Sequence, residues 1–182
     1  RAIDTGDLKK GVVLVADDAR NVTVAFGTHT SATTGVGALG VYAGTYQLSS
    51  TTNAPISIGV SSNGDLTKAG LTAGTYSANV SNMTSVDRAV GASTAAPSTT
   101  TTGLLEAGTL RINGTSIVAA STADDSASAD TNSAGTAIAS STKAASAIAI
   151  AAAINKASAT TGVTATAAAN VITGTTFGAT DS

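Results

Sequence analysis

The chain has no cysteine and no tryptophan, only two phenylalanines and three tyrosines, and charged residues make up just 11% of it. Without thiols it can build neither a disulfide framework nor a thiolate metal site, which suits a reducing compartment or an exported protein that avoids thiols. With so few large apolar side chains, any core must be thin and spread along strands and one helix. Nine Lys and Arg against eleven Asp and Glu give a net charge of -2, so there is no basic surface to neutralise phosphates, and nucleic-acid binding is not expected. The longest low-polarity run, "AASAIAIAAAI" from Ala144 to Ile154, is too short to cross a bilayer at 1.5 Å per residue, which predicts no membrane insertion.

What is abundant is small: alanine is about 21% and serine plus threonine about 29% of the 182 residues. The opening "RAIDTGDLKK" has no apolar signal core, and the sequence reads as an excised fragment. "VVLV" and "VTVAF" flank the loop-forming "ADDARN" and predict a hairpin between Val12 and Phe26. "GVYAGTYQL", "PISIGVS" and the turn signal Asn63-Gly64 predict further antiparallel strands. The tetrapeptide "AGTY" at Ala43–Tyr46 returns at Ala73–Tyr76 and reads as a reused strand entry.

Between Gly91 and Gly103, "GASTAAPSTTTTG" loses all periodicity, so residues 93–103 are expected to link a β-rich domain, 1–92, to a second unit, 104–182. In that second unit "GTLRINGTSI" alternates Leu110 and Ile112 against polar neighbours, and Asn113-Gly114 supplies a type I′ turn before Ile117. A helix is expected to begin near Ala139 to Lys143, capped by Ser140, Ser141 or Thr142. Ala147, Ile150, Ile154 and Ala157 make one apolar stripe on it, flanked by Ile148, and Gly162 is the stop. "VTATAAANVITGTTF" then alternates as two strands, which gives a β-β-α-β-β arrangement. The expected fold class is α+β, mainly β, with antiparallel strands, hairpins and one Ala-rich helix on a small sheet in the C-terminal half.

Candidate chemistry is sparse. "GVGALG", Gly35–Gly40, matches a dinucleotide-binding spacing but lacks the strand before it and the helix after it, and the nearest later acid is Asp65; a flexible connection is the simpler reading. The only histidine, His29, lies in "FGTHTSATT", which has no nucleophile-elbow pattern and reads as a solvated loop. Asp17-Asp18 and the trio Asp124, Asp125 and Asp130 lack the ligand spacing of a calcium loop and also read as solvated loops. Asn21, Asn82 and Asn113 head N-glycosylation sequons, which arise readily by chance in a Thr-rich chain. No cofactor is expected.

Taken in order, "GTLRINGTSI" and "SAGTAIASSTKAASAIAIAAAINKASATTGVTA" resemble the hook-IN motif of bacterial flagellins and related flagellar proteins. The counterparts are Gly108, Leu110, Ile112, Asn113, Gly114, Ile117, Ile154, Asn155, Gly162, Val163, Thr164 and Ala165, with Ile150 on the same helix. The resemblance covers the 104–182 unit, while the first hundred residues are similar to a flagellin outer region only in composition. It implies a structural, non-enzymatic role at the surface of an extracellular flagellar filament. Export would then need no cleaved signal, and partners would be other flagellin subunits held through terminal helices that this sequence does not contain. The exposed face would meet glycans, host receptors or antibodies. The competing readings are the equivalent domain of a filament cap or hook-associated protein, acting in assembly or adhesion, and a secreted enzyme using His29 or the aspartates.

Overall fold

The computed structural model describes residues 1–62, 64–78, 83–84, 88–89, 105–129 and 143–178. Thirteen short strands among them run antiparallel to their neighbours in four small sheets, with three helices, so the fold is α+β and mainly β. The first sheet orders β1 (Ala2–Asp4), β2 (Val12–Ala16) and β13 (Asn170–Ile172). The second orders β3 (Val22–Val24), β4 (Gly40–Ala43) and β9 (Arg88–Ala89). In the third, β5 (Tyr46–Ser50) lies between β12 (Val163–Ala167) and β8 (Met83–Thr84). The fourth orders β11 (Thr115–Ser116), β10 (Leu110–Ile112), β6 (Ile56–Val60) and β7 (Gly74–Tyr76).

The hairpin expected between Val12 and Phe26 does not form. Both edges of β2 are occupied, by β1 and by β13, so β3 has no place beside it and pairs with β4 instead. The loop between them turns at Ala19, in the left-handed region at φ 62, and its N–H donates to the Ala16 carbonyl at 3.2 Å. "VYAGTYQL" is likewise two strands rather than one, because the chain changes sheets at Gly44-Thr45. It does so where β12 gives way to β13: the Ala168 N–H donates to the Thr45 carbonyl at 2.9 Å, and a Cβ on Gly44 would stand 3.3 Å from the Ala168 carbonyl. Two strand-to-strand corners therefore sit against each other, a device for carrying one chain through two sheets.

The two "AGTY" copies play different parts. The first straddles that corner, and its Tyr46, 1% exposed, donates its hydroxyl to the Ala69 carbonyl at 2.6 Å. The second enters β7, where the Tyr76 hydroxyl reaches back to the Thr72 carbonyl at 3.0 Å. Tyr42 makes the same four-residue return to Ala38 at 2.8 Å, so small loops before both strands are pinned by a phenol.

The linker expected over 93–103 lies outside the described residues. The segments on either side of it do not keep separate sheets: β10 pairs with β6, β12 with β5, and β13 with β2. Their apolar side chains also share one cluster, with Tyr46, Leu48, Ile56 and Ile58 from the first segment beside Leu110, Ile117, Ile150 and Val163 from the second. The last two strands follow the expected alternation but join different sheets instead of pairing with each other.

The expected caps at residues 140–142 lie outside the described residues. Lys143 and Ala144 are helical, the chain then breaks, and α2 (Ala147–Asn155) starts afresh with the Ser146 hydroxyl accepting from the Ala149 N–H at 3.1 Å. The apolar stripe is wider than the spacing predicts, since Ala147, Ala149, Ile150, Ala151, Ala153 and Ile154 are all buried. Alanine on the remaining faces lets neighbouring elements close in, as in a helix apolar nearly all round. The helix expected to run on to Gly162 ends at Asn155, leaving Ala157 half-buried between two helices, and a separate short helix, α3 (Ser158–Thr161), stops at Gly162, φ 65.

Candidate functional site

Asn113 and Gly114 adopt φ 49 and 78, the two positive values that a type I′ turn demands, and β10 and β11 pair across them as expected. Gly108, φ 76, bends the chain just before β10, and its N–H donates to the Ile117 carbonyl at 2.9 Å. Alternation then sends Leu110 and Ile112 inward, both fully buried, while Arg111 stays outside and reaches the Gly114 carbonyl at 2.6 Å. Ile117, Ile150, Ile154 and Val163 complete this part of the core.

Asn113 does more than turn the chain. Its backbone N–H donates to the Ser57 carbonyl at 2.8 Å, and its Oδ1 accepts the Ser57 N–H at 2.7 Å. Its Nδ2 donates to the Thr161 carbonyl at 2.7 Å, at the last residue of α3. Immediately after, the Gly162 carbonyl accepts from both the N–H and the hydroxyl of Thr51, at 2.8 and 3.0 Å, and Val163 enters β12 opposite Ser50. A single carboxamide thus ties β6, the hairpin turn and the start of β12 together.

Asn155 closes α2 in the same manner. Its Nδ2 donates to the Ala165 carbonyl and its Oδ1 accepts the Ala165 N–H, both at 2.8 Å, so the side chain pairs with β12 as another strand would. Of the eleven candidate motif residues, Leu110, Ile112, Ile117, Ile150, Ile154 and Val163 share one buried cluster, Asn113 and Asn155 bond to Thr161 and Ala165 on either side of the Gly162-Val163 step, and Gly108 and Gly114 turn the chain in open space.

A third asparagine, Asn170, escapes sequence reasoning. It is 1% exposed and donates Nδ2 to the Tyr42 carbonyl at 2.8 Å and to the Arg20 carbonyl at 3.1 Å, filling the corner where the strands change sheets. Its only signal is an amide between the apolar runs of two strands. The roles of Ser57, Thr161 and Ala165 are equally silent, because they lend only backbone groups to the clamps.

The other candidates take different places. "GVGALG" follows a helix, α1 (Ser31–Thr34), not a strand, and Gly35 is its left-handed C-cap. The segment's first glycines lie at a crowded crossing. A Cβ on Gly11 would lie 2.1 Å from the Gly35 carbonyl oxygen and 2.3 Å from that of Thr175. Asp65, the acid considered for a ribose, instead caps a 3-10 turn and accepts from the Thr67 N–H at 2.9 Å. His29 is exposed.

The acidic groups separate. Asp17 pairs with Arg1 at 3.3 Å, Asp18 with Arg20, and Asp124 with Lys156 at 2.6 Å. Arg1, Asp17, Asp18 and Arg20 line an open cleft of ≈ 570 Å³, and these pairs partner its charges. Asp125 is not solvated as expected but 1% exposed. Its Oδ1 accepts from the N–H groups of Ser128 at 2.9 Å and Ala127 at 3.0 Å, while Oδ2 lacks a partner in full hydrogen-bond geometry. Burial pushes this carboxyl up, but the nearby Ser128 and Ser146 hydroxyls and the two N–H groups outweigh it and hold the pKa below the usual carboxylate range.

Asp130 and Asn82 lie outside the described residues. Among the described residues no group of three or more metal-ligating side chains comes together, and no helix is long and apolar enough to cross a membrane. No family model, curated protein or solved structure matches the chain.

Proposed function

We propose that this chain is the surface-exposed outer domain of a bacterial flagellin and that its role is structural: a folded module carried on the outside of a flagellar filament. The supporting observation is the convergence of the resemblance's spaced pieces. Asn113 of "RING" bonds to Thr161, next to the Gly162-Val163 step, and Asn155 of "AAIN" bonds to Ala165 of "GVTA". Residues that would otherwise recur together without reason acquire one, since each clamps the next piece of the motif. On this reading the module has no catalytic group, other subunits meet it through flanking helices, and its exposed face offers the filament's surface to antibodies, receptors or glycans.

Antibodies raised against the folded chain and applied to intact cells that make it test the reading by electron microscopy. Label distributed along flagellar filaments is the expected result. Label confined to filament tips or the hook junction would overturn it in favour of a cap or hook-associated protein. Label on no appendage would overturn the flagellar reading as a whole.

A further inference from the structure

Asn113-Gly114 is a chemically fragile dipeptide, because glycine's bare amide can attack the asparagine side chain without steric hindrance. In that reaction Gly114 N bonds to Asn113 Cγ, the Cγ–Nδ2 bond breaks, and ammonia leaves with the glycine amide proton. Water then opens the five-membered imide at either carbonyl, giving aspartate or isoaspartate; overall one water is consumed and one ammonia released.

The folded turn opposes every part of this. Asn113 Cγ carries an oxygen fixed by the Ser57 N–H and a nitrogen fixed by the Thr161 carbonyl, both at 2.7 Å. Closing the imide requires the carboxamide to rotate away from both partners and the Asn113 Cα–C bond to rotate until Gly114 N reaches Cγ, which takes the chain out of its two-residue turn. The reaction therefore needs the hairpin to open first.

We propose that Asn113 is a latent modification site, held intact by the clamp and converted irreversibly by water whenever the β10–β11 hairpin opens, so that deamidation records past unfolding. The product cannot restore the junction. Aspartate has no Nδ2–H for the Thr161 carbonyl and sets a negative oxygen against it, while isoaspartate adds a backbone atom to a two-residue turn and displaces β11.

The test incubates the full chain at mildly alkaline pH across a urea series and measures, by peptide mass analysis, the loss of asparagine at position 113. In native buffer the loss should be slower than in full denaturant by about tenfold or more, the factor set by an opening free energy of only ~1.4 kcal/mol. Across the series its rate should rise with the unfolded fraction. Asn63-Gly64 serves as the chemical reference and should convert as fast as Asn113 once the chain is unfolded. A rate at Asn113 that is flat across the unfolding transition would overturn the proposal. So would an Asn113 that survives in urea while Asn63 is lost.

Discussion

The carboxamide of Asn155 and the peptide of Ala165 face each other as a reciprocal pair, donor to acceptor and acceptor to donor, each at 2.8 Å. The last residue of α2 thereby behaves as a strand residue toward β12. Substituting Asn155→Ala removes both bonds and leaves the Ala165 groups to find water; the cost should be about 1–2 kcal/mol, seen as a lower midpoint in urea unfolding. An Asn155→Ala midpoint equal to that of the parent would mean the pair adds nothing.

Ile154 is fully buried among the side chains of two sheets and α2. Truncation to alanine should leave a cavity and cost about 2–5 kcal/mol by denaturant titration. Ile154→Asp, which adds an unpaired charge to the same place, should abolish cooperative unfolding altogether. An unchanged thermal midpoint in either variant would show that α2 does not anchor the core.

Gly6 and Gly11 offer a controlled comparison, for both sit in the left-handed region, at φ 66 and φ 57. Alanine at Gly6 meets open space and should cost only the conformational penalty of roughly 1–2 kcal/mol. Alanine at Gly11 adds a Cβ 2.1 Å from the Gly35 carbonyl oxygen and must displace backbone, so its loss should exceed that of Gly6→Ala. Equal thermal shifts in the two variants would contradict the close crossing of residues 11, 35 and 175.

Asp125 predicts a direction of pH dependence. Its folded pKa lies below the unfolded value of 3.8, so in acid the unfolded chain binds its proton first. The stability it contributes is full above that unfolded value and is lost as pH falls through the depressed folded one. The stability gap between the parent and Asp125→Asn should therefore be constant near neutrality and shrink in strong acid. A gap that widens as pH falls would reverse the sign of the shift.

Local features of this fold are legible in the sequence, and global ones are not. The I′ turn at Asn113-Gly114, the buried Leu110 and Ile112, and the stop at Gly162 each follow from residues within a few positions of one another. Partner choice is different. Alternation in Val12–Val15 tells which side chains share a face, but not that β13 takes the edge an adjacent hairpin would need. Serines abound before α2, and only tertiary packing selects Ser146 as its cap. Asn113 was legible as a turn residue and Asn155 as part of a motif; what they clamp was not, because their partners are peptide groups common to every sequence.

Pairing β2 with β13 also gives the molecule a clock. During synthesis the segment holding β1 to β9 emerges long before Asn170–Ile172, so its first sheet waits for a partner encoded far downstream. Contacts of such long range are slow to close, and the intermediate bears an open strand edge meanwhile. Completion of this sheet thus waits until Asn170–Ile172 has been made, with β13 acting as its latch.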